Sequence, residues 1–287
     1  MSSIIALLDN DLPSIKWLKR NNINYTVIKA DEDTPWERHL VSKYTPDVWI
    51  NDRMDTSVSH AQKIKNFGIS LVTIDDIGKG APYADLHISP FAQFRGMEPT
   101  KTRILTGMEY LVLPEEVAAC RRLRESHDKW IVTLGGSDTY GVTITIIKWL
   151  IERAKKATVI LGPAFGHNCN LANIDKKIIT LKKTVPSLMQ ELAQHDFAIT
   201  GGGMTAFEST AQGLPTAIIA NEKWEVSHAE FLASKGCSIF LGTQNKPNLD
   251  LLNEKMNIKR MSEKALNLIN VHGSEKIVQE LLKLSRK

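Results

Sequence analysis

Cysteine is scarce in this chain of 287 residues. The three present, Cys120, Cys169 and Cys237, are odd in number, widely spaced and form no Cys-x-x-Cys pair. That argues against a disulfide framework or a zinc site, and it fits a reducing, cytoplasmic setting. No apolar stretch approaches 18 residues, so no membrane span is expected. The opening MSSIIALLDND has too short an apolar run, and no positive lead, to read as a signal peptide. A dense basic stripe with interleaved aromatics is also missing. The net charge of +4 is spread along the chain, so nucleic acid is not the expected partner. No Asp-x-Asp at a suitable strand end faces the glycine turns described below, so neither metal nor cofactor is expected. Low-complexity tracts and short repeats are lacking too.

What remains is 43% hydrophobic and 24% charged, enough for one large or two medium domains with ordinary cores. Short apolar runs alternate with amphipathic segments from the start. Ser3–Leu8, Tyr25–Lys29, Asp47–Ile50, Leu71–Ile74 and Leu86–Ser89 read as strands. Helices are expected from Leu12 to about Arg20, from Thr34 to about Ser42, and from Ser57 to Phe67, the last closed by Gly68. Residues 90–106 read as a loop excursion, and Val117–His127 as a basic helix. The pattern then begins again with strands at Trp130–Leu134, Ala157–Leu161, Ile178–Leu181, Phe197–Thr200, Thr216–Ile219 and Ser238–Leu241. Helices are expected at Thr143–Lys155, Val185–Gln194, Met204–Gln212 and Val226–Ser234, with three more at Asn248–Ile258, Ser262–Asn270 and Ser274–Leu284. This alternation predicts an α/β chain of two Rossmann-like domains facing across a cleft. The expected boundaries are 1–122, 123–273 and a terminal helix at 274–287.

Two strand-then-glycine turns carry the chemistry. Phe197-Ala-Ile-Thr200 runs into Gly201-Gly202-Gly203 and then a helix stopped by Gly213 and Pro215. Trp130-Ile-Val-Thr-Leu134 runs into Gly135-Gly136-Ser137. Glycine lets a ligand approach the backbone, and a helix N-terminus offers free N–H groups and a favourable dipole to an anion. The pair predicts a phosphate seat for a nucleotide or nucleotide-sugar. Asp11, Asp52, Asp75 and Asp76 fall at or just past strand ends, the edge at which open α/β sheets bind ligands. Asp9 and Asp76 read better as caps or turn residues. His167, in Gly162-Pro-Ala-Phe-Gly-His167, is a candidate base, whereas His60, His87 and His195 read as structural or exposed.

Several stretches resemble a known family. They are Thr73-Ile-Asp-Asp76, Ala84-Asp-Leu-His-Ile-Ser89, Phe94-Arg-Gly-Met-Glu-Pro99 and Gly107-Met-Glu-Tyr-Leu-Val-Leu-Pro-Glu-Glu116, then Leu134-Gly-Gly-Ser-Asp138, Thr200-Gly-Gly-Gly-Met-Thr-Ala-Phe-Glu-Ser209 and Gly213-Leu-Pro215. The second half resembles the donor-binding domain of GT-B proteins. The whole chain is similar to the UDP-sugar hydrolases of pseudaminic acid biosynthesis and the related spore-coat polysaccharide biosynthesis proteins. The resemblance implies that Gly202, Gly203, Met204 and Thr205 bind the diphosphate. It places both ribose hydroxyls on Glu208, the uracil on backbone groups at Val185, and the distal phosphate or sugar near Gly136 and Ser137. Glu225, Ser227 and His228 match a sugar-contacting region.

Three positions depart from the family pattern. Its first turn carries Gly-x-Gly-His-x-x-Arg with a His base, where this chain has Leu8-Asp-Asn-Asp11-Leu-Pro13. Its Asp-His-Tyr-Gly is here Asp52-Arg53-Met54-Asp55, and the Asn before the ribose Glu is here Phe207. Two functions follow. One is an enzyme that hydrolyses or transfers a nucleotide-activated sugar, with Asp11, Asp52 or Asp55 as base. The other is a nucleotide-sugar-binding or regulatory protein that has lost its chemistry.

Overall fold

The structure is a computed structural model in which residues 3–8, 11–28, 36–91, 102–167, 174–183 and 185–285 are described. Cys169 and the Phe94–Pro99 stretch lie outside them. The described residues fall into two compact units. One holds residues up to Ile88, with 102–104 and 280–285; the other holds 89–91 and 105–279.

The first unit contains β1 (Ile5–Leu8), α1 (Leu12–Arg20), β2 (Tyr25–Ile28), α2 (Trp36–Tyr44), β3 (Val48–Asp52), α3 (Val58–Asn66), β4 (Ser70–Ile74) and β5 (Leu86–Ile88). Strands β1 and β2 pair in parallel, and so do β3, β4 and β5. A further strand, β6 (Arg103–Leu105), lies on the outer side of β5. It falls within what the sequence suggested was a loop. Helix α3 starts where Ser57 accepts the His60 N–H at 3.2 Å and stops before Gly68, whose φ of +75° favours glycine. Its Ala61 and Ile64 bury against Leu71 of β4.

The second unit contains α4 (Glu116–Ala119), β7 (Trp130–Thr133), α5 (Val142–Glu152), β8 (Ala157–Ile160), β9 (Ile179–Lys182), α6 (Leu188–Ala193) and β10 (Phe197–Gly201). Then follow α7 (Met204–Ala211), β11 (Thr216–Ala220), α8 (Lys223–Ser234), β12 (Ser238–Thr243), α9 (Ile258–Leu268) and α10 (Gly273–Leu284), whose end belongs to the first unit. The six strands form one parallel sheet, ordered β12-β11-β10-β7-β8-β9. Numbered from β7, that is 6-5-4-1-2-3, the order of a doubly wound sheet, and its direction reverses between β7 and β10. Strands β7, β10 and β11 are buried along their whole length, as strands covered on both faces must be. Ile131, Ala198 and Ile218 share a cluster with Leu192, Phe207 and Leu232 of α6, α7 and α8. Val132, Ile199 and Ile219 share the other with Ile146 and Leu150 of α5. Truncating a fully buried Phe such as Phe197 or Phe207 costs about 3–5 kcal/mol. Among the described residues no helix is long and apolar enough to cross a membrane.

Two expectations are corrected. The expected helix 248–258 is a 3-10 turn, Leu249–Asn253; α9 starts at Ile258, where Asn257 accepts the Arg260 N–H at 3.0 Å. The basic helix expected at Val117–His127 ends at Ala119, and residues 120–128 carry no regular structure. The reason is long-range. Arg121 donates to the carbonyls of Ala211 and Leu266, both at 2.6 Å, and of Ile269 at 3.1 Å. Arg124, only 1% exposed, donates to the carbonyls of Gln212 and Arg122. Burial lowers its pKa to about 9, so it stays a cation at neutral pH. Truncating it leaves buried carbonyls without a donor. Arg124→Ala should therefore destabilise the chain by about 2–4 kcal/mol in denaturant unfolding; a loss under about 0.5 kcal/mol, the ordinary range for surface substitutions, would refute this account.

Candidate functional site

The site is built at the carboxyl edge of the second unit's sheet, where β7 and β10 lie side by side with Thr133 opposite Thr200. Glycine is required at two points there. Gly135 has φ +87°, and a Cβ on Gly202 would stand 2.7 Å from the Glu225 Cβ. Space is open above Gly135 and Gly136, where a Cβ would meet nothing within 4 Å.

Helices α5, α7 and α8 begin at this edge. The carboxylate of Asp138 accepts the N–H groups of Val142 and Thr143, both at 3.0 Å, and so closes the tip of α5. Glu222 and Glu225 form a reciprocal capping box on α8. Helix α7 has no side-chain cap: Gly203 stands at the cap position and Met204 is 40% exposed. The Gly202 N–H goes to Glu225 and that of Ala206 to the Gly203 carbonyl. The N–H groups of Gly203, Met204 and Thr205 form the open tip. Its other end is finished by a Schellman turn, with Gly213 N–H on Thr210 and Leu214 N–H on Ser209.

Glu208 lies one turn into α7, half-buried. Burial raises its pKa, and a hydrogen bond with Thr205 opposes the rise. Gly136 and Ser137 are exposed, and the Ser137 hydroxyl lies 3.0 Å from that of Thr139. Val185 packs half-buried against the core. Of the residues expected at the sugar, Glu225 and His228 are buried against Gly202, on its N–H and its C=O, and the half-buried Ser227 donates to the Trp224 carbonyl at 3.0 Å. His167 donates from Nε2 to the Asp138 carbonyl at 2.5 Å and meets Phe165 edge-on, so it buttresses the α5 turn.

The carboxylates expected as bases all lie in the first unit. Asp11 is exposed ahead of α1 and accepts from the Ser14 hydroxyl. Asp52, the last residue of β3, and Asp55 beyond it are exposed. Asp76 is fully buried and holds the N–H groups of Thr56 and Gly78 at 3.0 and 2.8 Å, a turn role.

His60, His87 and His195 are all buried, none above 7% exposed. His60 anchors a network that sequence reasoning missed. Its Nδ1 lies 3.1 Å from Glu37 and its Nε2 3.3 Å from the Asn51 Oδ1, which also accepts from Trp49 at 2.9 Å. An indole N–H only donates, so Oδ1 must accept and His60 Nε2 must carry a proton. Burial lowers the His60 pKa, with Arg53 and Lys63 adding to it, while Glu37 opposes. His195 differs. Its Nδ1–H donates to the Glu191 carbonyl at 2.8 Å and its Nε2 accepts from Thr158 at 3.0 Å, which satisfies the neutral ring that burial favours. His195 borders a hollow of about 570 Å³ next to α6. The hollow reaches the amino ends of β7 and β10, and its charges pair internally, Arg122 with Asp196 and Lys182 with Glu191. Among the described residues no cluster of three or more His, Cys, Asp or Glu could hold a metal ion.

No protein-family model matches the chain. An uncharacterized protein of Methanocaldococcus jannaschii is 24% identical over 239 residues, 76% of this chain and 49% of that protein. The spore coat polysaccharide biosynthesis protein SpsG of Bacillus subtilis is 26% identical over 180 residues, 58% of this chain and 52% of that protein. The chain thus spans about half the length of these curated relatives. A UDP-glucosyltransferase from Polygonum tinctorium superposes with a TM-score of 0.69 at 11% identity, over 100% of this chain and 93% of that one. The fold is that of the GT-B glycosyltransferases. The spinosyn rhamnosyltransferase SpnG, complexed with thymidine diphosphate, also superposes, with a TM-score of 0.59 at 13% identity over 97% of this chain and 100% of that one.

Glu208 gives a pH test. A carboxyl whose folded pKa lies above its unfolded value binds its proton more tightly when folded, so ionising it costs stability. Glu208→Gln should raise the melting temperature of the ligand-free protein at pH 7–8, and the gain should vanish below about pH 4, where both folded and unfolded carboxyls are protonated. A melting temperature at pH 8 that is unchanged or lower would show that the carboxylate carries no burial penalty.

Proposed function

We propose that the second unit binds a nucleotide-activated sugar, with UDP as the nucleotide. The open tip of α7 at the point where the strand order reverses carries this reading. The diphosphate binds the N–H groups of Gly203, Met204 and Thr205, with Gly202 forming the turn behind them. The Glu208 carboxylate accepts the ribose hydroxyls, backbone groups at Val185 hold the uracil, and Gly136 and Ser137 meet the distal phosphate or sugar. A diphosphate nucleotide is common to the names of the two superposed glycosyltransferases, and SpsG points to surface polysaccharide synthesis as the setting.

The reaction in this reading is hydrolysis or inverting transfer. A base takes the proton of water or an acceptor hydroxyl, that oxygen attacks the anomeric carbon, and the carbon–oxygen bond to the diphosphate breaks. The departing negative charge is stabilised by the α7 tip. Asp11, Asp52 and Asp55 are the candidate bases. A second reading, nucleotide-sugar binding without turnover, is favoured by Asp11 itself: its carboxylate is engaged with Ser14 beside α1.

Thermal denaturation tests the seat. UDP should raise the melting temperature, and Glu208→Ala should abolish the rise; no response to any nucleoside diphosphate would end the proposal. Turnover separates the two readings. Release of UDP from a panel of UDP-sugars, with and without acceptors, establishes an enzyme, and Asp11→Asn should then stop release while leaving the UDP shift intact if Asp11 is the base.

A further inference from the structure

Glu225 and His228 sit one turn apart on α8 and reach the two peptide groups that meet at Gly202. Glu225 Oε2 accepts the N–H of Gly202 at 3.2 Å, and also those of Asn221 at 2.6 Å and Glu222 at 3.4 Å. His228 Nδ1 lies 3.2 Å from the Gly202 carbonyl. A carbonyl only accepts, so that nitrogen carries the proton and donates. The two side chains are 7% and 4% exposed. The His228 ring is packed by Phe91 at 4.4 Å and by Phe207 and Trp224 at 5.3 Å each. Helix α8 also presses on the turn directly, since a Cβ on Gly202 would lie 2.9 Å from the Glu225 carbonyl oxygen.

We infer that Glu225 and His228 are positioning residues that clamp Gly202 through both of its peptide groups, Glu225 on the N–H of the first and His228 on the C=O of the second, and so aim the N–H groups of the α7 tip at a diphosphate. The inference rests on the seat proposed above and gives these two residues a task on the backbone instead of on the sugar. Glycines leave the turn free to rotate, and rotation of the Gly202–Gly203 peptide, whose C=O His228 holds, would swing the Gly203 N–H and those that follow it. Donors held in advance at the position of the anion avoid that reorganisation on binding. The three N–H donors all satisfy Glu225 Oε2, while Oε1 lies on the Gly203 side, 3.4 Å from where a Cβ on that glycine would stand.

The test titrates the full chain with UDP and with uridine, at a temperature at which each variant is folded by circular dichroism. Glu225→Gln and His228→Phe should each weaken UDP by about tenfold or more, roughly the worth of one lost charge-assisted contact, with uridine affinity unchanged. His228→Asn, which keeps a donor near the Nδ1 position, should stay close to wild type. Wild-type UDP affinity in folded Glu225→Gln overturns the clamp, as does an equal loss of UDP and uridine. If the wild type binds neither, the nucleotide reading itself has failed. Amide hydrogen exchange at Gly202 then decides the clamp alone: faster exchange in Glu225→Gln upholds it and an unchanged rate rejects it.

Discussion

The opposite treatment of the two ends of α7 is the constraint from which the site follows. At the C-terminal end, Arg121 and Arg124 collect the carbonyls of Ala211 and Gln212 beneath a Schellman turn. At the N-terminal end nothing caps the helix. Cations at a helix C-terminus are each worth about 0.3–1 kcal/mol at the surface and up to about 2 kcal/mol when partly buried. Arg124 is fully enclosed, so water screens little of its effect. The negative end of the dipole is neutralised and the positive end is left open. Residues 120–128 give up helical structure to bring the guanidinium groups there, so the seat depends on arginines some eighty residues before it in the chain.

The neighbouring helices narrow the choice further. Asp138 and the Glu222–Glu225 pair place carboxylates on the tips of α5 and α8, which satisfies their N–H groups and makes both unwelcoming to an anion. In the proposed reading, a diphosphate arriving at this edge is left with the α7 tip. The open space above Gly135 and Gly136 lies in the turn that follows β7, the strand paired with β10.

Much of this was legible in the sequence because its signals are local. Uniformly apolar runs such as Phe197–Thr200 and Thr216–Ile219 announce parallel strands buried on both faces. Gly201–Gly203 and Gly213-Leu-Pro215 mark the ends of α7 without reference to anything distant. The rest depends on contacts between residues far apart. Arg121 and Arg124 read as part of a basic helix because the Ala211, Gln212 and Leu266 carbonyls they reach lie about ninety residues or more away. Glu37, Asn51 and His60 come from three successive elements, α2, β3 and α3, so no helix or strand period links them. The task of Glu225 did leave a trace: Glu222-Lys-Trp-Glu225 has capping-box spacing, with an acidic residue in the place usually held by Ser or Thr.

The departures from the family pattern do not carry equal weight once burial is known. Residues 207 and 208 are about 100° apart around α7. Glu208 is half-exposed, whereas Phe207 is fully buried against Phe91 and His228, with ring centroids 4.9 and 5.3 Å away. A Phe there is a packing element on the far side of the helix from solvent. It braces the His228 ring that holds Gly202, so exchanging an Asn for it leaves the seat intact. The change at Asp11 is of another kind. It puts a carboxylate where the family pattern has a His, so a general base at that position would start as an anion and become neutral on taking its proton. In the proposed reading, the charge that leaves with the diphosphate then falls to the donors of the α7 tip.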